Sequence, residues 1–179
     1  MRKVLFILGQ MSDSDTAWLA NNGQRQVIAK GTELIRQGSR INTMYFILTG
    51  VMSVVNQQGT KLAELGGGDI LGEMSMLDSG VTAASVRADQ DCTVLAIAKP
   101  ALEKKLADDT AFAARFYRAL ALFLADRMRS TMRTLGYGEA RDEVPTEGLA
   151  EDELDAAVLD NVHLAGARFE RLLKQLAGG

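Results

Sequence analysis

The chain has 179 residues, 47% hydrophobic and 24% charged, which suits one globular unit with an appendage and excludes a disordered chain. A formal net charge of -3 offers no overall basic excess for holding nucleic acid or an anionic membrane. One cysteine, Cys92, and one histidine, His163, exclude a Cys/His zinc site and a disulfide, and leave a Cys-His nucleophilic pair only across distant segments.

The opening run Met1 to Leu8 is apolar after two basic residues, but it stops at Gly9 and polar Gln10, Ser12 and Asp13 follow. That is too short for a signal-peptide core. No stretch approaches the roughly 20 apolar residues of a membrane helix. The cysteine usage suits a reducing compartment, so the expectation is a cytoplasmic protein.

Ser12 to Asp15 offers N-cap oxygens just before Ala17, Trp18 and Leu19, which predicts a short helix over the end of the first two dozen residues. From residue 26 to 98 the texture changes to short apolar runs, among them Met44–Leu48, Val51–Val55, Ala83–Val86 and Cys92–Ile97. Between them stand Gly31, Gly38, Gly50, Gly59, Gly66 to Gly68, Gly72 and Gly80. Short strands punctuated by glycine at about 10-residue spacing predict a sandwich or barrel rather than βαβ units. Gln57-Gln58-Gly59 reads as a hairpin turn.

After Lys99-Pro100 the period becomes helical. Phe112, Phe116, Leu120 and Phe123 form one stripe, wide enough to seat a helix on the β domain. Tyr117, Ala121, Leu124, Met128, Thr131 and Leu135 form a second, with the alternating spacing of a coiled-coil seam. That stripe meets either the same helix of a second subunit or the chain's own C-terminal segment. Residues 136–150 read as an acidic linker, and 151–177 as an amphipathic helix with the stripe Leu154, Val158, Val162, Ala165, Phe169, Leu172 and Leu176. Acidic residues crowd its start and basic ones its end, which complements the helix dipole.

The chemistry concentrates in Gly68-Asp69-Ile70-Leu71-Gly72-Glu73-Met74-Ser75-Met76-Leu77, followed by Thr82-Ala83-Ala84-Ser85-Val86. A strand ends at a glycine, a carboxylate follows, and a short helical turn opens with unpaired backbone N–H groups, an arrangement that favours an anion. Glu73 would repel a bare phosphate but accepts a hydrogen bond from a sugar hydroxyl. A carboxylate beside amide donors points to a ribose-phosphate ligand.

On these residues the chain resembles the cyclic nucleotide-binding domain family. Gly31-Thr32, Gln37-Gly38 and Tyr45-Phe46-Ile47-Leu48-Thr49-Gly50 stand where that family's motifs stand, ahead of a phosphate-binding cassette from Gly72 to Val86, and the likeness covers roughly residues 5–135. The resemblance implies a mainly β fold with flanking α-helices: an eight-stranded jelly-roll β-barrel at 26–98, hinge and lid helices at 100–135, and no DNA-binding domain after them. It implies that Gly72 permits close backbone approach, that Glu73 binds the ribose 2′-hydroxyl, and that the amides of Ser75 and Ala83 donate to the cyclic phosphate. The ligand-binding set it projects is Gly72, Glu73, Met74, Ser75, Thr82, Ala83, Ala84 and, from the lid helix, Arg127.

One departure matters. Where the family's cassette holds a phosphate-pairing arginine this sequence has Thr82, preceded by Val81. A hydroxyl supplies neither charge nor a bidentate fork. Since charge-assisted hydrogen bonds contribute about 1.5–3 kcal/mol each, affinity for a cyclic nucleotide should fall on the order of 10- to 1,000-fold. Strand alternation puts Arg87 on the face opposite Ala84, Val86 and Ala88, so Arg127 and Arg129 are the better substitutes, one of them stacking on a purine.

The resulting expectation is a non-enzymatic sensor with no cofactor. It would bind cAMP or another cyclic nucleotide, with cAMP favoured by Ala83, signal through its C-terminal helices, and pair as a homodimer through helix 110–135. An unknown protein partner would dock on the C-terminal helix, with no DNA or membrane partner. The alternative is a degenerate domain that binds another ligand or none and serves as an interaction or dimerisation module. A cupin metalloenzyme would need several histidines in the barrel segment, which has none. A transcription factor would need a winged helix-turn-helix after Leu135, where only 44 residues follow, beginning with the acidic linker. Residues 139–155 carry eight acidic and one basic residue, and the other 162 carry 19 basic and 15 acidic, so the net negative charge belongs to the tail.

Overall fold

The computed structural model describes residues 8–77, 80–134 and 156–177. The opening run to residue 7, the linker 136–150, Leu135 and the start of the last helix lie outside the described residues, as does the His163 side chain. Among the described residues the strands are β1 (Gly23–Ile28), β2 (Glu33–Ile35), β3 (Thr43–Thr49), β4 (Met52–Val55), β5 (Lys61–Leu65), β6 (Ile70–Leu71), β7 (Ser85–Ala88) and β8 (Cys92–Ala98). Helix α1 (Asp13–Asn22) precedes them and α2 (Met74–Leu77) lies between β6 and β7. Helices α3 (Lys99–Asp108), α4 (Thr110–Thr134) and α5 (Ala156–Ala177) follow.

The eight strands form two antiparallel sheets of four, ordered β1-β8-β3-β6 and β2-β7-β4-β5. The expected eight-stranded jelly-roll β-barrel is therefore corrected: among the described residues neither sheet closes, and no strand ladder joins one to the other. Two physical causes act together. Passages between the sheets run through Gly31, Gly50, Gly68 and Gly72, whose φ values of 83°, 95°, 90° and 80° turn the chain out of the ladder instead of carrying the pairing round a corner. The edge strands β2 and β6 are also only three and two residues long, too short to pair onward.

The first sheet is covered on both faces, which is why β3 and β8 read as nearly unbroken apolar runs. Met44, Phe46, Leu48, Leu95 and Ile97 join Phe112, Phe116 and Leu120 of α4 in one core. Ile47, Leu71, Cys92 and Val94 join Ile35, Met52, Val86 and Ala88 of the second sheet in another. Alternation along β7 leaves Arg87 exposed between buried Val86 and Ala88. Cys92 is 1% exposed. Beside it a side chain on Gly50 would bring a Cβ to 2.5 Å from the cysteine sulfur.

Local signals explain the ends of elements. Ser12 caps α1: its hydroxyl accepts from the Asp15 amide at 3.1 Å, and its own amide donates to the Asp15 carboxylate at 2.7 Å. Asn56 and Gly59 close the β4–β5 hairpin with a 3.0 Å backbone bond. Asp109 ends α3 and caps α4, its carboxylate accepting from the Phe112 amide at 2.9 Å. The expected stripe Phe112, Phe116, Leu120 and Phe123 is buried, with the Phe112 and Phe116 rings stacked 5.9 Å apart. The described part of the last stripe is used within the chain: Leu172 is buried in the helix-facing core and Ala165 packs on Leu8. Arg168 and Arg171 each reach Asp13 at 2.7 Å, tying α5 to α1. No helix among the described residues is long and apolar enough to cross a membrane.

Candidate functional site

The site begins at Gly72, directly after β6. Its φ is +80°, and an added Cβ would lie 2.7 Å from the Thr43 carbonyl oxygen and 2.8 Å from Ile41 Cδ1. Only glycine fits there without a shift in β3. The turn delivers Glu73, 3% exposed, and starts α2, where the Met76 amide donates to the Glu73 carbonyl at 3.0 Å and the Ser75 hydroxyl to the Gly72 carbonyl at 2.6 Å. The Lys99 ammonium donates to the Ser75 carbonyl, while the Lys99 amide donates to Asn42 at 2.9 Å. The cassette helix is thereby joined to the point where β8 becomes α3.

On the other arm of the cassette, Thr82 exchanges backbone hydrogen bonds with the 36–39 turn: Gly38 donates to its carbonyl at 2.8 Å and its amide donates to Ser39 at 2.9 Å. Its hydroxyl accepts from the Ser39 amide at 3.1 Å and donates to the Arg36 carbonyl. The side chain standing in the arginine's position is a clip between two loops.

These arms enclose a cavity of about 420 Å³. Gly72, Glu73, Met74 and Ser75 line one side, and Thr82, Ala83 and Ala84 another. Ile35, Ile41, Val54, Leu71 and Val86 make an apolar floor, and Leu124, Arg127, Met128 and Thr131 of α4 make the roof. The eight residues projected from the sequence thus all line one cavity. The floor and the other three roof residues were not among them. Leu124, Met128 and Thr131 were visible only as members of the second helical stripe, and half of that stripe's central seam therefore serves the cavity. Lys99 carried no sequence signal, because its partner is a backbone carbonyl.

Arg127 Nη1 lies 2.6 Å from Glu73 Oε1, with the two side chains 27% and 4% exposed. Burial pushes the Glu73 carboxyl above the usual glutamate range, and the neighbouring Arg127 only partly opposes it. The Arg127 guanidinium also sits 5.4 Å from the Phe123 ring centroid. Arg129 is exposed and lines a separate hollow with Ala125, Met128 and Met132. Arg87 faces outward, as its strand position predicts. Among the described residues no group of three or more His, Cys, Asp or Glu could hold a metal ion. Chemically the cavity offers apolar walls, one buried carboxylate and one guanidinium engaged with it: the equipment for binding.

Residues 25–109 match the family model of the cyclic nucleotide-binding domain. Fold and match together define the class: the chain has a cyclic nucleotide-binding-domain-like fold.

Its particular relatives include human potassium/sodium hyperpolarization-activated cyclic nucleotide-gated channel 4, 33% identical over 103 residues, which cover 58% of this chain and 8% of the channel. The rat voltage-gated inwardly rectifying potassium channel KCNH3 is 33% identical over 138 residues, covering 76% of this chain and 12% of the channel. The chain spans about a tenth of the length of these relatives. Among solved structures, a cyclic nucleotide-binding domain from Methylobacillus flagellatus aligns with TM-score 0.69 at 22% identity, over 79% of this chain and 85% of that one. The c-di-GMP responsive global regulator CLP of Xanthomonas campestris aligns with TM-score 0.61 at 18% identity, over 91% and 92%. At these identities the likeness to solved structures is one of fold.

Proposed function

We propose that the chain is a cytoplasmic sensor that takes a cyclic nucleotide, cAMP first, in the cavity between cassette and α4, and passes occupancy on through α4. The observation that carries this reading is the convergence of the cassette from Gly72 to Ala84 and the Arg127 side of α4 on one apolar cavity, with a buried carboxylate at its edge. Glu73 would accept the ribose 2′-hydroxyl, the Ser75 and Ala83 amides would meet the phosphate, and Leu124 and Met128 would cover the purine. A carboxylate accepts several hydrogen bonds, so the ribose adds to Arg127 rather than needing its place. Signal size is bounded by the ligand's differential affinity for the two positions of α4.

Thermal unfolding with and without millimolar cAMP, cGMP or c-di-GMP tests this, because a ligand bound to the folded state raises the midpoint by mass action. A rise with cAMP is expected, and no rise with any of the three overturns the reading. A second reading, a degenerate domain serving as an interaction or dimerisation module, is favoured by one observation: the Thr82 hydroxyl donates to a loop carbonyl. In that case Thr82→Arg would leave the chain still indifferent to cAMP.

A further inference from the structure

Resting on the reading of this cavity as a ribose site, we infer that it prefers a neutral ligand: a ribonucleoside binds at least as tightly as the corresponding cyclic phosphate. The argument is one of charge and protons. Among the described residues Glu73 and Arg127 are the charged ones in the lining, and they neutralise each other across 2.6 Å. A phosphodiester entering the cavity brings a full negative charge out of water, and against it the described lining sets backbone amides but no unpaired cation.

Among the described residues none of the other cations in this part of the fold lines the cavity. Lys99 is bonded to the Ser75 carbonyl, Arg36 sits in a 3.0 Å surface pair with Glu33, Arg87 is exposed on the outer face of its sheet, and Arg129 faces the other hollow. Were Arg127 to turn to a phosphate, it would strand a buried carboxylate, which is costly. The Thr82 hydroxyl has loop carbonyls of Arg36 and Ser39 within reach, so donating to an incoming phosphate oxygen would cost it a bond it already makes. A nucleoside meets none of these penalties. Its hydroxyls donate to Glu73, its ring covers Leu71, Val86 and Leu124, and its 5′-oxygen, unlike a phosphate, can itself donate.

Isothermal titration of the full chain with adenosine and with cAMP at neutral pH tests the inference. Adenosine should bind with a Kd equal to or below that of cAMP, and its Kd should not change between low and high salt. Thr82→Arg should tighten cAMP relative to adenosine by at least about tenfold. Ala84→Phe, which fills the cavity without touching the ion pair, should abolish adenosine binding. If cAMP binds the unaltered chain tenfold tighter than adenosine, the inference fails while the cyclic-nucleotide reading stands. If adenosine binds and cAMP does not, the inference stands and that reading fails. Heat from neither at millimolar concentration overturns both, and adenosine binding undiminished in Ala84→Phe places the nucleoside elsewhere and overturns the inference.

Discussion

From Phe112 to Phe123, helix α4 buries Phe112, Phe116, Ala119, Leu120 and Phe123 to 3% exposure or less; beyond them Met128 and Met132 are 62% and 43% exposed. Each half also sends one arginine to a buried carboxylate. Arg115 grips Asp15 with two bonds, 2.6 and 2.9 Å, while Arg127 holds Glu73 with one of 2.6 Å. The two carboxyls respond in opposite directions. Burial pushes Asp15 up, but Arg115 and the amide and hydroxyl of Ser12 outweigh it and hold Asp15 below the usual range. Glu73 has fewer donors, and burial prevails. The number of hydrogen bonds reaching a carboxylate, more than the presence of a cation, decides whether burying it strengthens the fold. One half of the helix is anchored in the core; the other is held by fewer buried contacts.

The contrast can be broken most severely at Phe116. Phe116→Ala should cost about 3–5 kcal/mol, read as a lower midpoint in chemical denaturation. Next comes Arg115→Ala, expected to cost about 2 kcal/mol by stranding the Asp15 carboxylate. It should also flatten the acid limb of the stability profile. The depressed Asp15 contributes stability that is present above the ordinary carboxylate pKa and lost as pH falls through its folded value, and the variant lacks that contribution.

Arg127→Ala should cost less, about 1 kcal/mol, because it removes one hydrogen bond from its carboxylate where Arg115→Ala removes two. Removing the guanidinium lets burial act unopposed, so the variant should be relatively more stable toward acid and lose stability as pH rises from the ordinary glutamate value through the raised one. Hydrogen exchange should quicken after Phe123 and remain unchanged before it; quickening in both halves would erase the distinction. Met128→Glu is the mildest for the fold, within about 0.5 kcal/mol. If the exposed seam pairs two copies, light scattering should show a dimer that this substitution splits. A monomeric unaltered chain would end the homodimer expectation.

Much of this was legible in the residues. Alternating apolar positions marked the strands, Gly72 and Glu73 marked the cassette, and the phenylalanine stripe marked the anchored half of α4. Whether the strands closed into a barrel was not legible, since a closed barrel and two separate sheets require the same alternation and the same glycines. Ladder pairing between distant strands decides it. The direction of the Thr82 hydroxyl depends on a carbonyl 46 residues away in the chain, and no residue type encodes a carbonyl. Leu124, Met128 and Thr131 fit the seam of a dimer and the roof of a cavity equally well, because both require apolar groups on one helical face.

The close approach of Gly50 to Cys92 has a practical side. The thiol donates to the Val51 and Gln90 carbonyls at 3.3 and 3.2 Å, and burial raises its pKa, so it is shielded and mostly un-ionised at neutral pH. It is also the chain's one cysteine. A second cysteine introduced at exposed Met132 would therefore be the thiol that maleimide reagents find first. A fluorophore attached there would watch the loosely held end of α4 against a native background that stays chemically silent.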